Sequence, residues 1–222
     1  MKKSNLREAF TLIELLVVIS IIAILAGIAM PVYSQATLNA KILKGTANAR
    51  SIGMSLLMYA NDNDGRFPNE RNDHNEDITT ANDAFRSLFP TYLTDESIFA
   101  VPTSKAGPLA DNRITQPSDI LTRGENHWAY VAGLNSSSNS QWPLIVDHTD
   151  GSGFYTDKET EFGGTWKGTK GIIVHTDTSA SAVKLLGTGV KRYIPRFDDK
   201  AKNALELKDY MGDGAKLLEP AR

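Results

Sequence analysis

The chain has 222 residues, 41% hydrophobic and 23% charged, with a formal net charge of −2. That length allows one domain of ordinary size plus an appended segment, and the balance excludes domain-wide disorder and a broadly basic nucleic-acid-binding surface. Cysteine is absent, which rules out disulfides, thiolate metal sites and cysteine catalysis.

The apolar residues crowd toward one end. After Glu14 no charged residue occurs until Lys41, and residues 15–32 read LLVVISIIAILAGIAMPV. A helix over that stretch, at ~1.5 Å per residue, is about 27 Å long, close to the hydrocarbon thickness of a bilayer. Lys2, Lys3 and Arg7 precede it and outweigh Glu8. The basic flank predicts a single span with a cytoplasmic N-terminus, leaving the remaining chain outside the inner membrane.

Three readings of this segment compete. It is a secretory signal, with Gly27-Ile28-Ala29 as a small-x-small cleavage site; an uncleaved anchor for some soluble domain; or a short charged leader removed ahead of an apolar helix that stays on the mature protein. Glu14 discriminates among them. A carboxylate in an apolar span costs roughly 2.5–3.5 kcal/mol, so it calls for a partner or a function. A plain signal or anchor gains nothing from it, unless it snorkels to the cytoplasmic edge.

The run Phe10-Thr11-Leu12-Ile13-Glu14-Leu15-Leu16-Val17-Val18-Ile19 resembles the processing and assembly motif of type IV pilins and type II secretion pseudopilins. The resemblance implies cleavage by a prepilin peptidase between Ala9 and Phe10, and N-methylation of Phe10. Glu14 then matches the family's characteristic fifth mature residue, and Pro31 its helix-bending proline. Ala9 departs from the glycine usual before the cut. In a filament of staggered subunits, Glu14 of one subunit can neutralise the terminal ammonium of a neighbour. Pairing removes the penalty of two uncompensated charges in an apolar core.

The helix is expected to continue past the span. Leu38, Ile42, Gly45, Ala49, Ile52, Leu56 and Tyr59 recur at alternating steps of four and three, a helical stripe of apolar and small residues. Lys41, Lys44, Asn48, Ser51 and Ser55 are assigned to a polar face. Pro31, which lacks an N–H and crowds the preceding turn, is expected to bend or locally melt the helix. Asn61-Asp62-Asn63-Asp64-Gly65 is a strong turn signal that ends it near Ala60. Four segments follow: a leader over 1–9, a transmembrane and filament-core helix over 10–32, an amphipathic continuation over 33–60, and a globular head over 61–222.

In the head, residues 84–88 with Leu93 suggest a short helix, and 128–132, 144–146, 171–175 and 182–186 read as short strands. Residues 201–211 have weak helical character, and 135–141 (NSSSNSQ) form a polar surface loop. The fold class is α+β, with a small antiparallel sheet packed on the second half of the long helix. Residues 59–68 (YANDNDGRFP), 98–102 (IFAVP), 130–134 (YVAGL), 143–147 (PLIVD) and 171–177 (GIIVHTD) resemble segments of pilin-like proteins of planctomycetes and verrucomicrobia. Val101 stands where those proteins carry cysteine, and Thr178-Ser179 where they carry glycine-histidine, so roles tied to those residues do not carry over.

No nucleophile elbow, phosphate loop or dinucleotide fingerprint is present. The histidines, His74, His127, His148 and His175, include no pair at the i, i+4 spacing of a helical zinc site. His175, on an expected strand, reads as a structural hydrogen-bonding residue. Asp147, Asp150, Asp157 and Glu159 lie in a carbonyl-rich loop and form a candidate calcium site; calcium favours flexible oxygen cages. Pseudopilins often bind calcium in a C-terminal loop, so the resemblance makes that ion relevant without locating it. A solvated acidic loop is the alternative there. Asp62-Asn63-Asp64-Gly65 echoes part of a calcium loop, but a helix-ending turn explains it equally well.

The sequence therefore describes a non-enzymatic structural subunit of a type II secretion pseudopilus or type IV pilus-like filament. Its expected partners are other pilin-like subunits, a prepilin peptidase, the inner-membrane assembly platform and the membrane itself. The lack of a basic stripe argues against nucleic acid. The rival from another class is a membrane-anchored periplasmic enzyme or ligand-binding domain that uses the segment only as an export anchor.

Overall fold

The structure, a computed structural model, describes residues 11–71, 77–102, 104 and 109–221. Two compact units are present, Met1–Ala40 and Lys41–Arg222. Helix α1 (Leu12–Asp62) contributes to both. The helix continues through Pro31, although the proline donates no backbone hydrogen bond, so the chain does not melt locally there.

Within the larger unit, α1 follows the anticipated stripe closely. Ile42, Gly45, Ala49, Ile52, Leu56 and Tyr59 are all buried, and only Leu38, in the other unit, is half-exposed. Ser55 corrects the assignment of the polar face, because it is buried too. Its hydroxyl donates to the Ser51 carbonyl at 3.0 Å, and that local bond removes most of the cost of burying it. The helix ends at the expected turn. Asp64 and Gly65 take positive φ (52° and 79°), and the Gly65 N–H donates to the Ala60 carbonyl at 2.7 Å, satisfying a terminal acceptor.

Five strands make one antiparallel sheet: β1 (Trp128–Ala132), β2 (Pro143–Asp147), β3 (Lys170–His175), β4 (Ala180–Lys184) and β7 (Lys216–Leu218), in the order β4-β3-β2-β1-β7. A separate hairpin joins β5 (Leu186–Thr188) to β6 (Lys191–Tyr193). The α+β class is as the sequence indicated. β1 and β2 are buried throughout, which fits central strands covered on both faces.

Glycines set how closely α1 lies on this sheet. A Cβ on Gly45 would sit 2.9 Å from Ile172 and 3.4 Å from Trp166, and one on Gly53 would sit 2.8 Å from Val174. Ile172 and Val174 alternate on β3 and present the same face. On the opposite face, the Cβ position of Gly171 meets Leu185 and Ile194.

Two shorter elements depart from expectation. The helix anticipated over 84–88 is α2 (Ala81–Arg86). It starts earlier because Thr80 and Asp83 form a reciprocal capping box. The strand anticipated over 182–186 is two elements, β4 and β5. Between them the Leu185 N–H turns to the Thr169 carbonyl at 3.1 Å. Of the weakly helical 201–211, only α3 (Leu207–Met211) is helical.

Candidate functional site

The N-terminal unit is built around Glu14. The Thr11 N–H donates to Glu14 Oε2 at 2.8 Å and the Thr11 hydroxyl donates to the same oxygen at 2.7 Å. The Glu14 N–H in turn donates to Thr11 Oγ1 at 3.3 Å. This is a capping box, with threonine ahead of the first turn and glutamate three residues on. It folds the carboxylate back toward the start of the helix, where unpaired amide donors favour negative charge. Thr11 was missed in the sequence, although Thr-x-x-Glu before an apolar run is a helix-start signature.

From Leu12 to Tyr33 the large apolar side chains lie exposed on every side of α1. Among the described residues no tertiary contact covers that surface, and a helix apolar all round belongs in lipid or among other such helices. The polar side chains of this stretch are satisfied within the helix. The Ser20 hydroxyl donates to the Leu16 carbonyl at 2.8 Å, and the Thr37 hydroxyl to the Tyr33 carbonyl at 2.9 Å. The helix is long and apolar enough to cross a membrane.

Residues 5–30 match the family model described as the prokaryotic N-terminal methylation motif. That motif marks the N-terminus as prepilin-like, of the kind found in type IV pilin-like proteins. Ala9 and Phe10, the residues flanking the expected cut, lie outside the described residues. No solved structure matches the chain, and the match at residues 5–30 leaves the head to be read from its own geometry.

The described histidines of the head, His127, His148 and His175, have structural surroundings. His127 Nδ1 accepts the Val101 N–H at 3.0 Å, and His148 Nδ1 accepts the Gly163 N–H at 3.0 Å. Their rings meet edge to face at 5.9 Å. Burial pushes the His127 pKa down, favouring the neutral ring. His175 closes β3 with Nδ1 at 3.2 Å from the Ser179 hydroxyl; His74 lies outside the described residues.

The four acidic residues of the anticipated calcium loop are not brought together. Asp147 is buried on β2, where one carboxylate oxygen accepts the Ile172 N–H at 2.8 Å and the Tyr155 hydroxyl at 3.1 Å. Burial raises its pKa to about 7. Asp150 Oδ1 accepts from the backbone and hydroxyl of Ser152 at 2.8 and 2.7 Å, organising its own turn. Asp157 faces Arg192 at 3.9 Å and Glu159 pairs with Lys167 at 2.8 Å. No three of them place oxygens within 4.8 Å of one another. Asp147 is buried because β2 is covered on both faces, and local partners claim the others. Asp62 likewise accepts the Tyr92 hydroxyl at 2.8 Å, and Asn63 donates to the Tyr59 carbonyl at 2.8 Å, as helix-ending residues do.

Among the described residues one acidic trio does converge: Glu96, Asp111 and Glu125, with a carboxylate oxygen from each within 4.8 Å of the others. Separations of 15 and 14 residues carry no motif, so only the fold reveals it.

Proposed function

We propose that the chain is a structural subunit of a type II secretion pseudopilus or related type IV pilus-like filament. One observation carries the reading: the first half of α1 (Leu12–Asp62) exposes its large apolar side chains from Leu12 to Tyr33, with Glu14 in its first turn, inside a methylation motif. Lipid solvates that surface before assembly, and neighbouring helices cover it afterwards. Prepilin peptidase removes residues 1–9 despite Ala9 at the glycine position, and Phe10 becomes the methylated terminus. The N-terminus faces the cytoplasm and the head faces the periplasm, where the inner-membrane platform takes the subunit into the filament. The role is architectural and involves no catalysis.

Mass spectrometry of the membrane-extracted protein tests this. The expected mature terminus is N-methylated Phe10. A terminus at Met30, as signal-peptide cleavage after Ala29 requires, overturns the reading.

A further inference from the structure

We propose that Glu96, Asp111 and Glu125 form a calcium site in the head. Glu96 opens a 3-10 turn (Glu96–Phe99) and is completely buried. Its Oε1 accepts the Leu121 N–H at 2.5 Å, while its Oε2 is buried without a hydrogen-bond partner. The loop carrying Asp111 closes over it, with Asn112 Oδ1 accepting the Glu96 N–H at 3.0 Å. Glu125, 5% exposed, is fixed on both oxygens. Oε1 accepts the Asp111 N–H at 3.2 Å, and Oε2 accepts the Thr122 N–H and hydroxyl at 2.6 and 2.8 Å.

A carboxylate oxygen carries more lone pairs than these bonds consume, so the trio retains acceptor capacity aimed at a common point. Its charge is only partly balanced among the described residues. Among the described residues the nearby cation is Arg113, which pairs with Asp111 at 3.2 Å on the exposed rim; neither Glu96 nor Glu125 has an ion-pair partner. Two buried carboxylates and a third at the surface repel one another, and a multivalent cation is the group that reverses the sign of that interaction.

The donor set selects the ion. All ligands are oxygens, so a hard cation is favoured over zinc or copper. Oxygens of one calcium sphere, at ~2.3–2.6 Å from the ion, lie at most about 4.6–5.2 Å apart, and the three oxygens here all lie within 4.8 Å of one another. Asp111, 44% exposed in its side chain, leaves an entry from solvent. The site is independent of filament assembly, so its failure would not touch the structural reading above.

The test uses the full-length chain in detergent, freed of metal by chelation, with melting followed against CaCl2 and against MgCl2 at matched ionic strength. A saturable rise of several degrees is expected with calcium. Asp111→Asn, a change at the exposed rim that leaves the buried pair intact, should need at least tenfold more calcium for half the rise. Glu125→Gln should abolish the rise, and Asp150→Asn should match wild type. No saturable rise in wild type, an equal rise with magnesium, or a rise lost in Asp150→Asn but kept in Asp111→Asn overturns the proposal. A stability that depends on pH but not on calcium would mean that a shared proton neutralises the trio, and would overturn it as well.

Discussion

Glu14 has two jobs that substitution can separate. It caps its own helix through Thr11, and in the proposed filament it neutralises an incoming ammonium. Losing a cap costs about 0.5–2 kcal/mol, whereas stranding a buried charge costs about 3–5 kcal/mol. Glutamine serves in a capping box as well as glutamate does, but carries no charge. Glu14→Gln is therefore expected to insert normally and yet fail to build filaments, as Glu14→Ala should. Thr11→Ala should assemble. Filament yield set against membrane-fraction abundance checks this; normal filaments from Glu14→Gln would reduce the residue to a cap. Asp147 gives a second residue-scale prediction. Its pKa is raised to about 7, so the stability it contributes is complete below the unfolded value of ~3.9 and lost as pH rises through 7. The loss is at most about 4 kcal/mol. His127 and His175, whose pKa values burial lowers, act in the opposite sense near pH 6, so the informative quantity is a difference. Denaturant midpoints of wild type minus Asp147→Asn, measured in metal-free buffer, should fall between pH 4 and 7 and then level off.

At the scale of elements, α1 serves two environments along one continuous helix, and only its second half belongs to the head. A chain beginning at Lys41 should fold cooperatively. One beginning at Asn61 loses Ala49, Ile52, Leu56 and Tyr59 from the core, where each leucine-sized side chain contributes roughly 1.5–3 kcal/mol. It should melt far lower or not fold, and equal melting temperatures would contradict the packing described. Gly53 tests the same contact from inside. Gly53→Leu forces atoms into Val174 and should cost about 1–3 kcal/mol, while Gly27→Leu, with open space around it, should leave head stability unchanged. Most of this element was legible in the sequence, because alternating steps of four and three from Leu38 to Tyr59 keep one face of a helix and suit no strand. Ser55 was misplaced because periodicity ranks residues by polarity, whereas a serine that bonds to the preceding turn is buried at little cost. The strands 128–132, 144–146 and 171–175 were legible as β-branched and aromatic runs. β7 was not, since Lys216-Leu217-Leu218 is too short to show alternation and gains its identity only by pairing with β1. The acidic trio was invisible for the same kind of reason: its members come from three separate segments.

At the scale of the whole molecule, β7 ties distant parts of the head together. It pairs Tyr130 with Leu218 and Ala132 with Lys216. Just beyond it the Glu219 carbonyl accepts the Ala81 N–H at 3.0 Å, the Ala221 carbonyl accepts the Gly124 N–H at 2.9 Å, and the Glu219 carboxylate binds the Thr149 hydroxyl. Deleting 213–222 should cost roughly 3–5 kcal/mol from hydrogen bonds each worth about 0.5–1.5 and from buried Leu218. Urea unfolding of the shortened chain should show that loss; an unchanged midpoint would mean that β7 is an ornament. The register between Ala132 and Lys216 also has a meaning in time. Ribosomes deliver about 5–20 residues per second, so β1 waits roughly 4–17 s for β7 after it is made. Throughout that interval the membrane helix is already available for insertion, while the sheet behind it has a bare edge able to pair with any passing strand. Newborn chains tethered side by side on one membrane would meet edge to edge at high local concentration. Pairing with β7 closes that edge of β1 and removes it from such contacts.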